Sequence, residues 1–124
     1  MKKILIKTAD ISLEAELFDT PTARLIYDAL PFQNTVQRWG DEIYFSIPVR
    51  TDLEKEARDV LEIGELGYWP VGAAFCIFWG ATPASMNNEP RAASAVNVFG
   101  RIIGNTSVLQ RVSSGADITI EKAD

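Results

Sequence analysis

No histidine occurs anywhere in the 124 residues. Without imidazole there is no Ser-His-Asp or Cys-His activation of a nucleophile. There is no His-ligated zinc or iron, and no side chain that titrates near neutrality by default. Acid–base chemistry is left to carboxylates, Lys and Tyr. Cysteine occurs once, which excludes an intrachain disulfide. No motif calls for a metal or a cofactor, and none is expected.

Long hydrophobic runs are missing too. No stretch approaches the roughly 20 apolar residues of a membrane helix. The N-terminus, MKKILIKTAD, opens with two lysines as a secretory leader does, but its apolar run is only Ile4-Leu5-Ile6. A leader needs about 7–15 such residues, so a first β-strand is expected instead. Basic clusters are also lacking: 12 Lys and Arg are scattered among 17 Asp and Glu, for a net charge of -5. Phosphate recognition needs concentrated positive charge, so neither nucleic acid nor an anionic membrane surface is expected as a partner. Cytoplasmic location follows by default. The length and the 47% hydrophobic content fit one globular domain spanning residues 1–124.

What is present is mostly strand-like alternation. Ile11, Leu13, Ala15 and Leu17 alternate with Ser12, Glu14 and Glu16, the pattern of a half-buried strand. Ile43, Phe45, Ile47 and Val49 alternate in the same way after a Trp39-Gly40-Asp41 turn. Further segments at Ile4–Ile6, Thr35–Trp39, Val60–Ile63, Ala73–Trp79, Val96–Ile103 and Ile118–Ile120 bring the set to about eight strands. Regular short strands of this kind point to a closed barrel or a sandwich. One helix is expected over about residues 21–30: Thr20 is a good N-cap, Pro21 suits the first helical position, and Leu25, Ile26, Ala29 and Leu30 form an apolar stripe. Pro31 ends it. TDLEKEARDV makes either one short helical turn or a solvated loop.

The segment GYWPVGAAFCIFWGATP, Gly67 to Pro83, holds two of the three tryptophans and the only cysteine. From Ala73 to Gly80 both strand faces are apolar, which predicts burial on both sides, against a barrel core and a helix. With no basic neighbour in the sequence, Cys76 reads as a small buried apolar residue. Tyr68 and Trp69 precede this run in a glycine-flanked stretch, where they either line a pocket or form a structural corner with Pro70. Gly80 allows close approach of another backbone or a ligand. Thr82 either caps a turn or offers a hydroxyl. Arg91 is either a carboxylate clamp or a solvated loop residue. Asp41 and Glu42 are adjacent, so on a strand they point to opposite faces and cannot act as a catalytic pair. Asn97, flanked by valines, needs a hydrogen-bond partner or points into a groove.

The order of these segments resembles the cyclophilins, the peptidyl-prolyl isomerases. FDTPTARLIYDAL is similar to their first helix entry, NVFGRI to their Phe-Gly-basic-aliphatic strand, and AFCIFWGATP to their central aromatic strand. WGDEIYF, GYWP and VNVFGRI bring the chain nearest to small prokaryotic cyclophilin-like proteins of unassigned function. The resemblance implies a closed eight-stranded barrel with one main helix as its stopper. It does not carry the isomerase residues across. Arg91 and Val96 stand where the cyclophilin Trp and His are expected, and Ala73 or Ala74 stands in place of a Gln. Arg38 is the nearest candidate for the arginine that polarises the prolyl amide. The function expected is binding of a small molecule or short peptide in an aromatic groove lined by Tyr44, Tyr68, Trp69, Phe78, Thr82 and Phe99. Arg38 or Arg91 would clamp an anion there, Glu42 would be a wall residue, and Asn97 would point into the groove or hold it from behind. The alternatives are an enzyme, either a weak or atypical prolyl isomerase or an unassigned hydrolase using Glu42, or self-association through an exposed aromatic patch.

Overall fold

The computed structural model covers all 124 residues and is built on antiparallel strands. In chain order they are β1 (Lys3–Thr8), β2 (Ile11–Leu17), helix α1 (Pro21–Ala29), β3 (Phe32–Thr35), β4 (Gln37–Arg38), β5 (Glu42–Ser46), β6 (Arg58–Val60), β7 (Glu65–Trp69), β8 (Ala74–Phe78), β9 (Arg91–Ile103) and β10 (Asp117–Lys122). Short 3-10 segments occupy Pro70–Gly72 and Thr106–Arg111. No helix is long and apolar enough to cross a membrane.

Hydrogen bonding runs β3-β10-β1-β2-β9-β7-β8-β5-β4, with β6 attached to β9. The sheet therefore has ten strands and is open, where a closed eight-stranded barrel was expected. Its end strands, β3 and β4, share no ladder. The reason lies in where the backbone of residues 32–38 spends its donors and acceptors. β3 pairs with β10, and Val36 N–H continues that side by donating to Ala116 O at 3.0 Å. The chain then swings to the other end of the sheet, where β4 pairs with β5. Across the remaining gap Asn34 Nδ2 donates to Ser46 O at 3.0 Å. One side chain and the covalent chain bridge the ends, not a backbone ladder. The strand total exceeds the expected one mainly because LGYW is a strand in its own right, and because the TVQRW stretch divides between two elements.

The helix follows its sequence signals. Thr20 Oγ1 accepts from Ala23 N–H at 3.1 Å, Pro21 starts the first turn, and Leu30 is already extended before Pro31. Ala23 and Ile26 enter the core, but Leu25, placed on the buried stripe from sequence, is 44% exposed. The TDLEKEARDV region makes one i to i+3 turn, Ala57 N–H to Glu54 O, and then enters β6. Glu54 turns back on the helix: its carboxylate accepts from Thr22 N–H at 3.0 Å and from the Thr22 hydroxyl.

Most of the apolar residues form one inner core, on the face of the sheet shared by Ile4, Ile6, Phe45, Phe75 and Phe99. Phe75 stacks on Phe45 at 5.1 Å and meets Phe99 edge-on at 5.0 Å. A second, smaller cluster lies on the opposite face: Leu61, Ala74, Cys76, Phe78, Ala92 and Val96, with Tyr44, Trp69 and Val98 against it. β8 is thus buried on both sides as its composition required. The cover on the outer side is the start of β9, held by β6, and not a helix.

Asn97 ties the helix, the 51–56 loop and β9 together. Its Oδ1 accepts from Glu54 N–H at 2.7 Å, and its Nδ2 donates to Thr22 Oγ1 at 3.0 Å and to Asp52 O at 2.9 Å. It is 1% exposed. Asn97→Ala leaves these three partners without their bonds, so a loss of about 3 kcal/mol is expected in urea unfolding. A loss well under about 1 kcal/mol would mean that water replaces the side chain freely.

Candidate functional site

The outer cluster does not fill its own volume. Between the outward faces of β5, β7 and β8 and the overlying start of β9 lies a cavity of ≈ 230 Å³. Trp39, Glu42, Tyr44, Trp69, Cys76, Ala92, Ala93 and Val96 line it. Strand register explains the grouping. Glu42 is opposite Phe78, Tyr44 opposite Cys76, and Trp69 opposite Ala74, so the outward side chains of three neighbouring strands converge. Glu42 and Tyr44 are two apart on β5 and share its outward face, about 7 Å from one another along the strand.

β9 forms the roof because it leaves β7. The register between the two shifts at Leu66/Gly67, and the residues of β9 before Asn97 pair with β6 instead, Arg58 opposite Val96 and Val60 opposite Arg91. Gly67 lets the roof come down: a Cβ there would lie 2.6 Å from Val96 Cγ2. β6 is itself fastened by Arg58, whose guanidinium holds the buried Glu65 carboxylate through two bonds of 2.8 Å. One side of the roof is pinned by Trp69 Nε1, which donates to Ser94 Oγ at 2.7 Å.

A tight turn sets the wall at the other end. Gly40 has φ +64, and a Cβ there would sit 2.8 Å from Thr82 Cα and 2.9 Å from Ala81 O. Asp41 N–H donates to Ala81 O at 2.8 Å, and Trp79 N–H donates to Asp41 O at 2.9 Å. Gly80 gives room to the Asp41 side chain, since a Cβ there would be 2.5 Å from its Oδ2. The turn thus fixes Trp39 and Glu42 on either side of the chain reversal. Asp41 points away to Arg38, at 3.0 Å, as adjacent strand residues should.

Glu42 is the chemical centre of the cavity. It is 5% exposed. Neither a basic side chain nor a backbone N–H supports its carboxyl, and only the Cys76 thiol lies within reach. By strict geometry that thiol donates to Ala74 O, at 3.8 Å, so its help to Glu42 is slight. Burial therefore dominates and pushes the Glu42 carboxyl up from an ordinary 4.5 to about 7. Burial, with the Glu42 charge beside it, pushes the Cys76 thiol well above its usual range, which keeps it protonated and unreactive.

The residues expected at the site from sequence are dispersed. The cavity brings together Glu42, Tyr44 and Trp69, and Phe78 packs beside it in the outer cluster. Tyr68 and Phe99 belong to the inner core, where Tyr68 Oη donates to Val49 O at 2.7 Å. Thr82 organises the 82–91 loop by donating to Arg91 O. Arg91 pairs with Glu89 at 2.9 Å and with Asp59 at 3.1 Å. Asn97 is spent on the contacts described above. Arg38 uses all five of its N–H groups, on Gly40 O, Gln110 O, Val112 O, Asp41 Oδ1 and Gln110 Oε1, which leaves no donor to polarise a prolyl amide. From sequence Trp39 reads as a strand end and turn residue and Cys76 as core, and nothing singles out Ala92 or Ala93. The available signal was the WGDE string itself, a hairpin turn flanked by an aromatic residue and a carboxylate.

The chain belongs to the cyclophilin-like family: the family model of that description matches residues 2–121. It is also similar to a hypothetical protein of Archaeoglobus fulgidus known from a solution structure, with 41% identity and a TM-score of 0.83 over 98% of this chain and 95% of that one. No curated protein matches.

Two outcomes follow from this geometry. Gly40→Ala forces a side chain into backbone atoms at positive φ, and about 2 kcal/mol or more of stability should be lost in thermal or urea unfolding. The Glu42 carboxyl has a higher value folded than unfolded, so its protonation favours the folded state. That contribution is complete below pH 4.5 and is lost as pH rises to about 7. It amounts to about 3 kcal/mol across that window. Glu42→Gln should remove this slope and leave the variant the more stable of the two above pH 7. Parallel pH–stability curves for the two proteins would show that Glu42 is not held in a dry site.

Proposed function

We propose that the protein is a binding protein for a small molecule or short peptide, and that the Glu42 cavity is where it binds. The observation that carries this is a buried carboxyl with no strong protein partner, set among aromatic rings in a space left open. Buried polar groups in folded proteins are almost always paired, and unlike the Trp79 indole N–H, which is unpaired inside the core, the Glu42 carboxyl faces a cavity that can admit a partner. An apolar hollow with one convergent polar group is the usual composition of a ligand site. The volume lies below the roughly 300–1,000 Å³ of sites that enclose a drug-sized ligand, so what enters is a group the size of one side chain. Whatever carries that group extends past the exposed Ala93 and Ser94 to solvent.

The three tryptophans make this directly testable. Trp39 and Trp69 line the cavity, while Trp79 belongs to the inner core beneath the Arg38 guanidinium. A fragment library titrated into 15N-labelled protein should shift the indole N–H signals of Trp39 and Trp69 and leave that of Trp79 in place. Trp69→Ala should abolish the response at Trp39. A library without hits at millimolar concentration, or hits that move Trp79 alone, would refute binding at this site.

A further inference from the structure

We propose that the group taken by this cavity is an alkylammonium ion, seated against the Glu42 carboxylate among the rings of Trp39, Tyr44 and Trp69, a proposal that rests on the binding reading above. The lining decides the sign of the charge. Among the eight lining residues Glu42 is the one that carries a formal charge, and none is Lys or Arg. An anion would meet that carboxylate without a cation to offset it. Of the two indoles in the lining, Trp69 already gives its N–H to Ser94. A neutral apolar group would leave the carboxyl unpaired. A cation supplies the missing partner, and aromatic rings add to its binding through their quadrupoles. The small apolar lining, Ala92, Ala93, Val96 and Cys76, suits N-methyl or methylene groups and offers nothing to the N–H fork of a guanidinium beyond Glu42 itself.

Ammonium binding favours the ionised carboxylate, so it acts against the burial that raises the Glu42 value. The titratable groups facing Glu42 are Tyr44 from β5 and Cys76 from β8. β7 presents Trp69, and the roof presents Ala92, Ala93 and Val96, none of which titrates. Binding of a permanent cation should therefore follow one proton, that of Glu42.

The test pairs choline with 3,3-dimethylbutan-1-ol, which has the same shape without the charge. Titration calorimetry on the full chain at pH 8 should give at least a tenfold preference for choline. Taking wild type from pH 8 to pH 6 should weaken choline roughly tenfold, as Glu42 takes up its proton, and leave the alcohol unchanged. Glu42→Gln should erase the preference at both pH values; if that variant does not fold, the pH pair on wild type decides. N-acetyl-trimethyllysine amide serves as a third probe. If it alone binds with this preference, the ammonium comes from a peptide, and if choline binds as well, a free amine suffices. Equal or tighter binding of the alcohol would overturn the ammonium assignment while the cavity stands as a site. So would silence from both cationic probes while other fragments shift Trp39 and Trp69. The absence of any ligand response at those tryptophans would take both proposals down together.

Discussion

A strand that is apolar on both faces must be covered twice, and β8 is such a strand. Phe75 and Ile77 go to the inner core, while Ala74, Cys76 and Phe78 face the other way and are just as buried. Covering the inner face needs only the curvature of the sheet. Covering the outer face requires something to leave the sheet and fold back. β9 does this, departing from β7 and laying residues 91–96 over the outer cluster with β6 as its brace. The cavity is what remains between a roof made of chain and a floor made of strands. Small side chains, Ala74 and Cys76 below and Ala92 and Ala93 above, do not span the gap.

The electrostatic character of the site follows from the same constraint. Arg58 with Glu65, and Arg38 with Asp41 and a ring of carbonyls, show how this fold handles partly buried charge elsewhere: each cation is matched by hydrogen-bond partners from the protein. Glu42 departs from that practice. The elements that enclose it bring rings and methyl groups, because they were recruited to cover an apolar strand. Desolvation is then opposed only slightly, by the Cys76 thiol, and it pushes the carboxyl up to about 7, near the range that histidine would supply in other proteins. A chain without imidazole thus still carries a side chain that changes charge near neutral pH.

Local signals in the sequence decide the structure where one element suffices to express them. Thr20-Pro21 and Pro31 delimit α1 within a residue, because capping and the pre-proline restriction act over four or five bonds. Alternation along Ile11–Leu17 and the double-sided apolar character of Ala74–Phe78 state which faces are buried. The Gly40 turn was visible from its residues. Leu66-Gly67-Tyr68-Trp69 escaped as a strand because its glycine and aromatic residues read equally well as a corner. Arg38 and Arg91 looked like free clamps because the carbonyls and carboxylates that occupy them come from residues far along the chain or from a loop whose shape no periodicity reports.

The sequence by itself determined the strand-rich character, the helix and its limits, the kinship with cyclophilin-like proteins, and the double burial of β8. These rest on interactions between near neighbours and on the two-residue period of a strand. The tertiary structure alone decided whether the sheet closes, which cover lies on the outer face, and which side chains meet there. Closure depended on residues 32–35 pairing with β10 and not with β5. The site depended on β9 changing partners partway along its length. Both are choices among competing long-range hydrogen bonds, and a linear string of residues carries no record of which competitor wins.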